Sequence, residues 1–264
     1  MNSLNWKRVI GKYYRIFRPS IKNRKIILIY HAVGNGPWAI STTLFKQQIQ
    51  WLKAHCKIVS LNELLSIAPK KNIIEVSLTF DDGYGCLYDH VVPILQAENV
   101  SATVYINTGR ISEDNTTRNL SNPDAGHYPG ESFLTWGEVI KLQQLGWEIG
   151  SHGVEHLDLT QQNSETIKNE LISSKLKIES TLQKKCVHFA YTFGKYSSAI
   201  KNAVAHVGYQ FAVTGNHAAL KNDHDSLALP RLNIAMHYTM SDFENIILGN
   251  WDFLGMIHKI KRLV

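Results

Sequence analysis

No stretch of the chain approaches the roughly 20 uninterrupted apolar residues of a helical membrane span, so none is expected. Lys and Arg break up the apolar positions of the N-terminus and no small-residue cleavage site follows, so a secretory leader is not expected either. Cysteine is scarce: Cys56, Cys86 and Cys186 are odd in number, far apart and without a C-x-x-C. That pattern indicates neither a disulfide framework nor a thiolate metal site, and these absences together point to the cytoplasm. The H-E-x-x-H of zinc peptidases, the G-x-S-x-G nucleophile elbow and a Gly-rich phosphate loop are all missing; "GSHG" at 150–153 has the wrong spacing for the elbow. No internal repeat and no Pro/Gly/Ser linker divides the 264 residues, and 44% hydrophobic content is that of an ordinary globular protein with a sizeable core.

Acidic residues are absent from both ends. Residues 1–25 hold eight Lys/Arg and residues 253–264 three, while 26–252 carry seventeen basic against twenty-two acidic residues. The net charge of +6 thus conceals a mildly acidic body with two basic ends. In residues 1–25, Trp6, Val9, Ile10, Tyr13, Ile16 and Phe17 recur at three- and four-residue spacing among Lys7, Arg8, Lys12, Arg15 and Arg18. A helix there has one apolar face and a basic remainder. It suits equally an anionic membrane surface, reached from the cytoplasmic side, or packing on the body. No nucleic-acid recognition motif accompanies the basic residues, so a nucleic acid is not expected as partner.

What the body does contain is short β-rich runs alternating with helical patterns. Strands are expected at 25–31, 57–61, 73–80, 101–107, 147–152, 187–193, 209–215 and 227–234. Several are apolar on consecutive positions, as in strands covered on both faces of a parallel sheet. Between them, Leu87, Val91, Ile94 and Leu95 share one helical face, and Ser164 is placed to cap a helix to about Thr181 with Ile167, Leu171, Ile178 and Leu182 inward. Repeated β-then-α implies an α/β barrel or a doubly wound sheet. Residues 107–134 are polar, turn-rich and without period; so long a loop in a compact domain is expected on the substrate side.

In such folds the C-terminal ends of the strands build the site. The run "IIEVSLTFDDGYGCLY" ends a strand on two adjacent carboxylates, Asp81 and Asp82, which a buried strand does not welcome without a reason. A lone Asp-Gly is ordinarily just a turn. The other strand ends, however, carry His31, His152, Phe193 and Arg231, with His156 four residues after His152. A helical turn starting at His152 would put both imidazoles on one side. Two His and a carboxylate with an open position suit a hydrolytic metal, although H-x-x-x-H also arises by chance in a chain with 12 His.

"TFDDG" at 79–83 and "SHGVEH" at 151–156 resemble the first two motifs of the polysaccharide deacetylases, carbohydrate esterase family 4. "IILIYHAV", "LFKQQIQWL", "VSATVYI", "FLTWGEV", "LGWEIGSH", "FAYTFG" and "LPRLNI" extend the likeness over roughly residues 25–235, and "FAY" is similar to the poly-N-acetylglucosamine branch. The resemblance implies a distorted (β/α) barrel of about seven parallel strands that removes the N-acetyl group of an amino sugar with one divalent metal, zinc first, then Co, Ni or Fe. It divides the chain into a basic segment at 1–25, the deacetylase domain at 26–240 and a helical basic tail at 241–264. By position, Asp82, His152 and His156 would be metal ligands and Asp81 the general base. The Phe193 N–H would hold the oxyanion, and His31, ahead of His237, would be the acid. Ala190 replaces an Arg found in many members, whose task of orienting Asp81 would pass to Arg231; Thr192 replaces the usual Pro. Trp136 and Tyr105 read as core, and Tyr84 as a lining residue. The expected substrate is a glycan of the cell envelope or its lipid-linked precursor; the other readings are deacetylation of a small non-sugar amide, and a glycan-binding protein that has lost turnover.

Overall fold

The computed structural model of the chain describes residues 4–17, 23–66, 72–221 and 223–261. In chain order the elements are α1 (Asn5–Phe17), β1 (Arg24–Tyr30), α2 (Thr42–His55), β2 (Lys57–Ile58), α3 (Leu61–Ser66), β3 (Ile74–Phe80), α4 (Val92–Ala97), β4 (Thr103–Ile106), α5 (Trp136–Gln144), β5 (Glu148–Ser151), α6 (Ser164–Leu182), β6 (His188–Ala190), α7 (Ser198–His206), β7 (Phe211–Val213), β8 (Leu232–Asn233), α8 (Met240–Ile247) and α9 (Phe253–Lys261). Every expected strand is present; β1 is shifted one residue toward the N-terminus, and the others are shorter than expected.

Seven strands run in the order β7-β6-β5-β4-β3-β1-β8, and β2 pairs beside β3. All the pairings are parallel. Leu229 bridges to Val213 of β7, and Leu232, three residues on, pairs with Leu28 of β1, so one short segment ties the two edges together. The sheet therefore curls into a distorted (β/α) barrel. Closure leaves two cores. Ile26, Leu28 and Tyr30 of β1 join a large cluster under the helices, while Ile27 joins a small one with Tyr105, Ala190, Val213 and Leu229. Alternate side chains of a strand point to opposite faces. All seven residues of β1 and of β3 are buried, which explains the apolar run at 26–30; in β3 the polar Glu75, Ser77 and Thr79 are buried as well.

The helices largely follow their sequence signals. Asn163, one residue before the expected Ser164, caps α6 by accepting the Thr166 N–H at 2.8 Å. Leu171, Ile178 and Leu182 face the core as expected; Ile167 is half-buried. Helix α1 lies on the body: Trp6 and Tyr14 meet Phe253 of α9 edge-on at 6.0 and 5.7 Å, and Arg8 forks onto Asp242 of α8 at 2.8 and 2.6 Å. Val9, Ile10 and Tyr13 of α1 are left facing outward, exposed. Trp136 and Tyr105 are buried in the core.

Candidate metal centre and active site

β3 is an interior strand, paired between β4 and β1, and its C-terminal end lies on the barrel rim. There the chain turns sharply. Asp82 and Gly83 take φ of 71° and 78°, the left-handed region, and the Gly83 N–H donates back to Asp81 O at 2.9 Å. A Cβ on Gly83 would strike Ile106 at 2.9 Å, so both backbone angle and neighbour demand glycine here. The strain at Asp82 is the sort that clusters at functional positions. The turn sends the two carboxylates in different directions.

Asp81 is held by Arg231. The guanidinium Nη1 and Nη2 donate to Asp81 Oδ1 and Oδ2 at 2.6 and 2.7 Å, Nε to Thr214 O at 3.0 Å and Nη1 also to Thr79 Oγ1 at 3.2 Å. Both side chains are buried. Burial by itself would raise the Asp81 carboxyl, but Arg231, with His152 and His31, brings it below the ordinary carboxylate value. Asp81 is thus an ionised carboxylate locked in one orientation.

Asp82 faces the two histidines. Its Oδ1 lies 3.5 Å from His152 Nε2 and 3.3 Å from His156 Nε2, and the three ligand atoms all fall within 4.8 Å of one another. Against the raising effect of burial, His156 first, then His31 and His152, hold Asp82 well below the usual range. Burial lowers His152; at His156 burial also acts downward, but Asp82 outweighs it and the net shift is upward.

The group fits a divalent metal. His152 Nδ1 donates to Ala190 O and His156 Nδ1 to Ala125 O, each at 2.8 Å. A carbonyl only accepts, so these bonds put the proton on Nδ1 and turn both Nε2 lone pairs toward Asp82. Asp82 Oδ1 is buried without a hydrogen-bond partner, which is costly unless a cation satisfies it.

The two histidines meet by a different route from the expected helical turn. Residues 152–156 form no helix, and His156 takes φ 61°. Glu170 of α6 reaches under this bend to accept the Val154 and Glu155 N–H groups at 2.7 and 3.2 Å. Its signal was present in the sequence as an acid on the inward stripe of α6, beside Leu171 and Ser174.

The remaining sequence candidates sit around this group. His31, half-buried after β1, adds its charge to both Asp81 and Asp82 and stacks on Tyr128 at 5.1 Å and 14°. His237 is exposed and is not among the charges acting on either carboxylate. Phe193 takes φ 57° in a tight turn whose bonds run from the Gly194 N–H to Tyr191 O and from the Lys195 N–H to Thr192 O; the Phe193 N–H enters neither. Its ring is half exposed and packs on His156 at 4.7 Å. Buried Thr192, without proline's ring, accommodates this turn. Tyr84 is buried, its hydroxyl accepting the Tyr128 N–H at 2.7 Å.

The loop at 107–134 packs against the site, through the Ala125 carbonyl on His156 and the Tyr128 ring on His31, and brings residues the sequence did not flag. His127 is buried with its ring 4.7 Å from that of His156 and edge-on to Phe133. Its Nδ1 accepts the Asn122 N–H at 3.3 Å, and burial, reinforced by His156, pushes its pKa down to about 4. Tyr128 beside it reaches His31. Nothing in the run "DAGHYPG" beyond its turn residues marks either one.

Comparison with known proteins accords with this geometry. The sequence profile described as polysaccharide deacetylase matches residues 68–212. The poly-beta-1,6-N-acetyl-D-glucosamine N-deacetylase of Staphylococcus epidermidis is 23% identical over 256 residues, covering 91% of this chain and 81% of its own. Among solved structures, the Streptococcus pyogenes deacetylase PplD, in complex with acetate, superposes with a TM-score of 0.72 at 24% identity, over 86% of this chain and 99% of that one. IcaB from Ammonifex degensii gives a TM-score of 0.71 at 17% identity, over 87% and 97%. These two share the fold.

Proposed function

The chain belongs to the polysaccharide deacetylase family, and from that premise we propose that it hydrolyses the N-acetyl group of an amino sugar in a cell-envelope polysaccharide or its lipid-linked precursor. The observation that carries the reading is the division of labour between adjacent carboxylates: Asp81 forked by Arg231, Asp82 turned to two histidines. The resemblance to a poly-N-acetylglucosamine deacetylase supports the choice of sugar.

Asp82, His152 and His156 would hold one divalent metal, zinc by preference, since imidazole and carboxylate donors suit it. When bound, that ion supplies Lewis acidity toward water and the acetamide carbonyl. Asp81, kept ionised and aimed by Arg231, accepts the proton of the attacking water. The Phe193 N–H donates to the carbonyl oxygen as it gains charge. His31, held by stacking on Tyr128, donates a proton to the departing amine nitrogen as general acid.

Asp81→Asn and His152→Ala separate the roles. Deacetylation of N-acetylglucosamine oligosaccharides is expected to vanish in both, while elemental analysis finds about one metal per chain in Asp81→Asn and none in His152→Ala. Loss of metal from Asp81→Asn as well would remove its assignment as base. A wild type that neither contains nor takes up a divalent metal would leave a glycan-binding protein as the reading.

We further propose a cytoplasmic location with peripheral contact at the inner face of the membrane. The exposed Val9, Ile10 and Tyr13 of α1 and the acid-free basic ends support contact with anionic lipid there.

A further inference from the structure

We infer that Trp38 and Tyr128 form an aromatic corner that seats a neighbouring sugar ring, so that the enzyme acts on a glycan chain in preference to a single amino sugar. The inference rests on the deacetylase reading of the site. Tyr128 stacks on His31, and Trp38 stands nearly perpendicular to Tyr128 at 5.4 Å and 82°. Two ring contacts of 5.1 and 5.4 Å therefore lead outward from the proposed acid to solvent.

Trp38 is 49% exposed, although an indole is highly buried on average. Phe193, an exposed ring beside the metal group, is engaged with His156, whereas the ring contact of Trp38 is with Tyr128. An exposed indole that reaches His31 through one intervening ring fits a ligand with one apolar face and a polar perimeter. A pyranose has that form: axial C–H groups can lie on the ring while its hydroxyls stay in water or meet the rim.

The corner is built rigidly. The Ala39 N–H donates to Gly36 O at 3.0 Å, closing a turn around Trp38. Two further bonds, Gly34 N–H to Ile40 O and Ile40 N–H to Ala32 O, brace its base. The Glu131 carboxylate, from the same loop as Tyr128, sits where any side chain on Gly36 would be, so the two loops are seated on each other. Tyr128 is held from behind by the Tyr84 hydroxyl. A platform fixed before the ligand arrives loses little freedom on binding.

The test compares wild type with Trp38→Ala and Trp38→Phe on a β-1,6-linked N-acetylglucosamine pentasaccharide and on free N-acetylglucosamine. Trp38→Ala is expected to raise KM for the pentasaccharide by about three- to tenfold, the worth of one aromatic face, and KM for the monosaccharide by under about twofold. Trp38→Phe should keep most of the preference for the longer sugar. In the non-turning Asp81→Asn background, the pentasaccharide should perturb tryptophan emission, and removing Trp38 should abolish that signal. A wild type that prefers the pentasaccharide while Trp38→Ala retains the full preference overturns the inference and leaves the deacetylase reading standing. A wild type that deacetylates neither sugar overturns both.

Discussion

Arg231→Met would expose how much of this fold depends on one buried ion pair. The substitution keeps a side chain of comparable length but removes the donors to Asp81 Oδ1, Asp81 Oδ2, Thr79 Oγ1 and Thr214 O. Asp81 would remain ionised, buried and unpaired. Breaking a buried pair in this way costs about 3–5 kcal/mol, whereas an exposed pair is worth about 0–1 kcal/mol. Against a total stability of about 5–15 kcal/mol for a folded domain, the loss is large but survivable. Urea unfolding of the metal-free protein measures it directly.

The pH dependence sharpens this prediction. In the wild type the Asp81 carboxyl lies below its ordinary value, so the pair stabilises the fold fully above the unfolded pKa of about 3.9. That contribution is lost as pH falls through the lower folded value. Without the guanidinium, burial prevails and the folded pKa rises above the unfolded one. The penalty is then full above the raised value and relieved as pH falls toward about 4. The stability curves of wild type and variant should therefore converge in acid. Asp81→Asn in the Arg231→Met background should recover most of the loss at neutral pH, because the amide carries no charge to strand. A loss under about 1 kcal/mol, with no recovery in the double variant, would refute the reasoning.

Two further outcomes are expected. His31→Gln should lower kcat by about 10²–10⁴-fold on N-acetylated oligosaccharide while leaving the metal content unchanged; a variant that keeps wild-type kcat means another group delivers the proton. Full-length protein should sediment with vesicles containing phosphatidylglycerol and stay in solution with pure phosphatidylcholine, with Ile10→Glu/Tyr13→Glu released. Equal behaviour with both lipids at low salt counts against the membrane contact.

The sequence by itself determined the elements and the rim. The apolar run at 26–30 signalled a strand covered on both faces, and alternation with helical stripes made the sheet parallel, whereas the burial of polar Glu75, Ser77 and Thr79 in 74–80 was not legible. Chemistry-bearing residues at strand ends were legible because a parallel fold gathers all such ends at one rim. Only the tertiary structure decided how they meet. A helical turn was the local guess for His152 and His156, but the chain achieves the approach with a left-handed His156 and a clamp from Glu170, sixteen residues beyond Val154. The fork between Arg231 and Asp81 spans 150 residues and exists because the segment around Leu229 and Leu232 closes the barrel. Tyr128 meets His31 and Trp38 for a similar reason, since a loop without hydrophobic period follows whatever surface the closed barrel offers it. Local periodicity reports which face of an element is buried; which distant side chains then touch depends on the register and curl of the whole sheet, which no local pattern encodes.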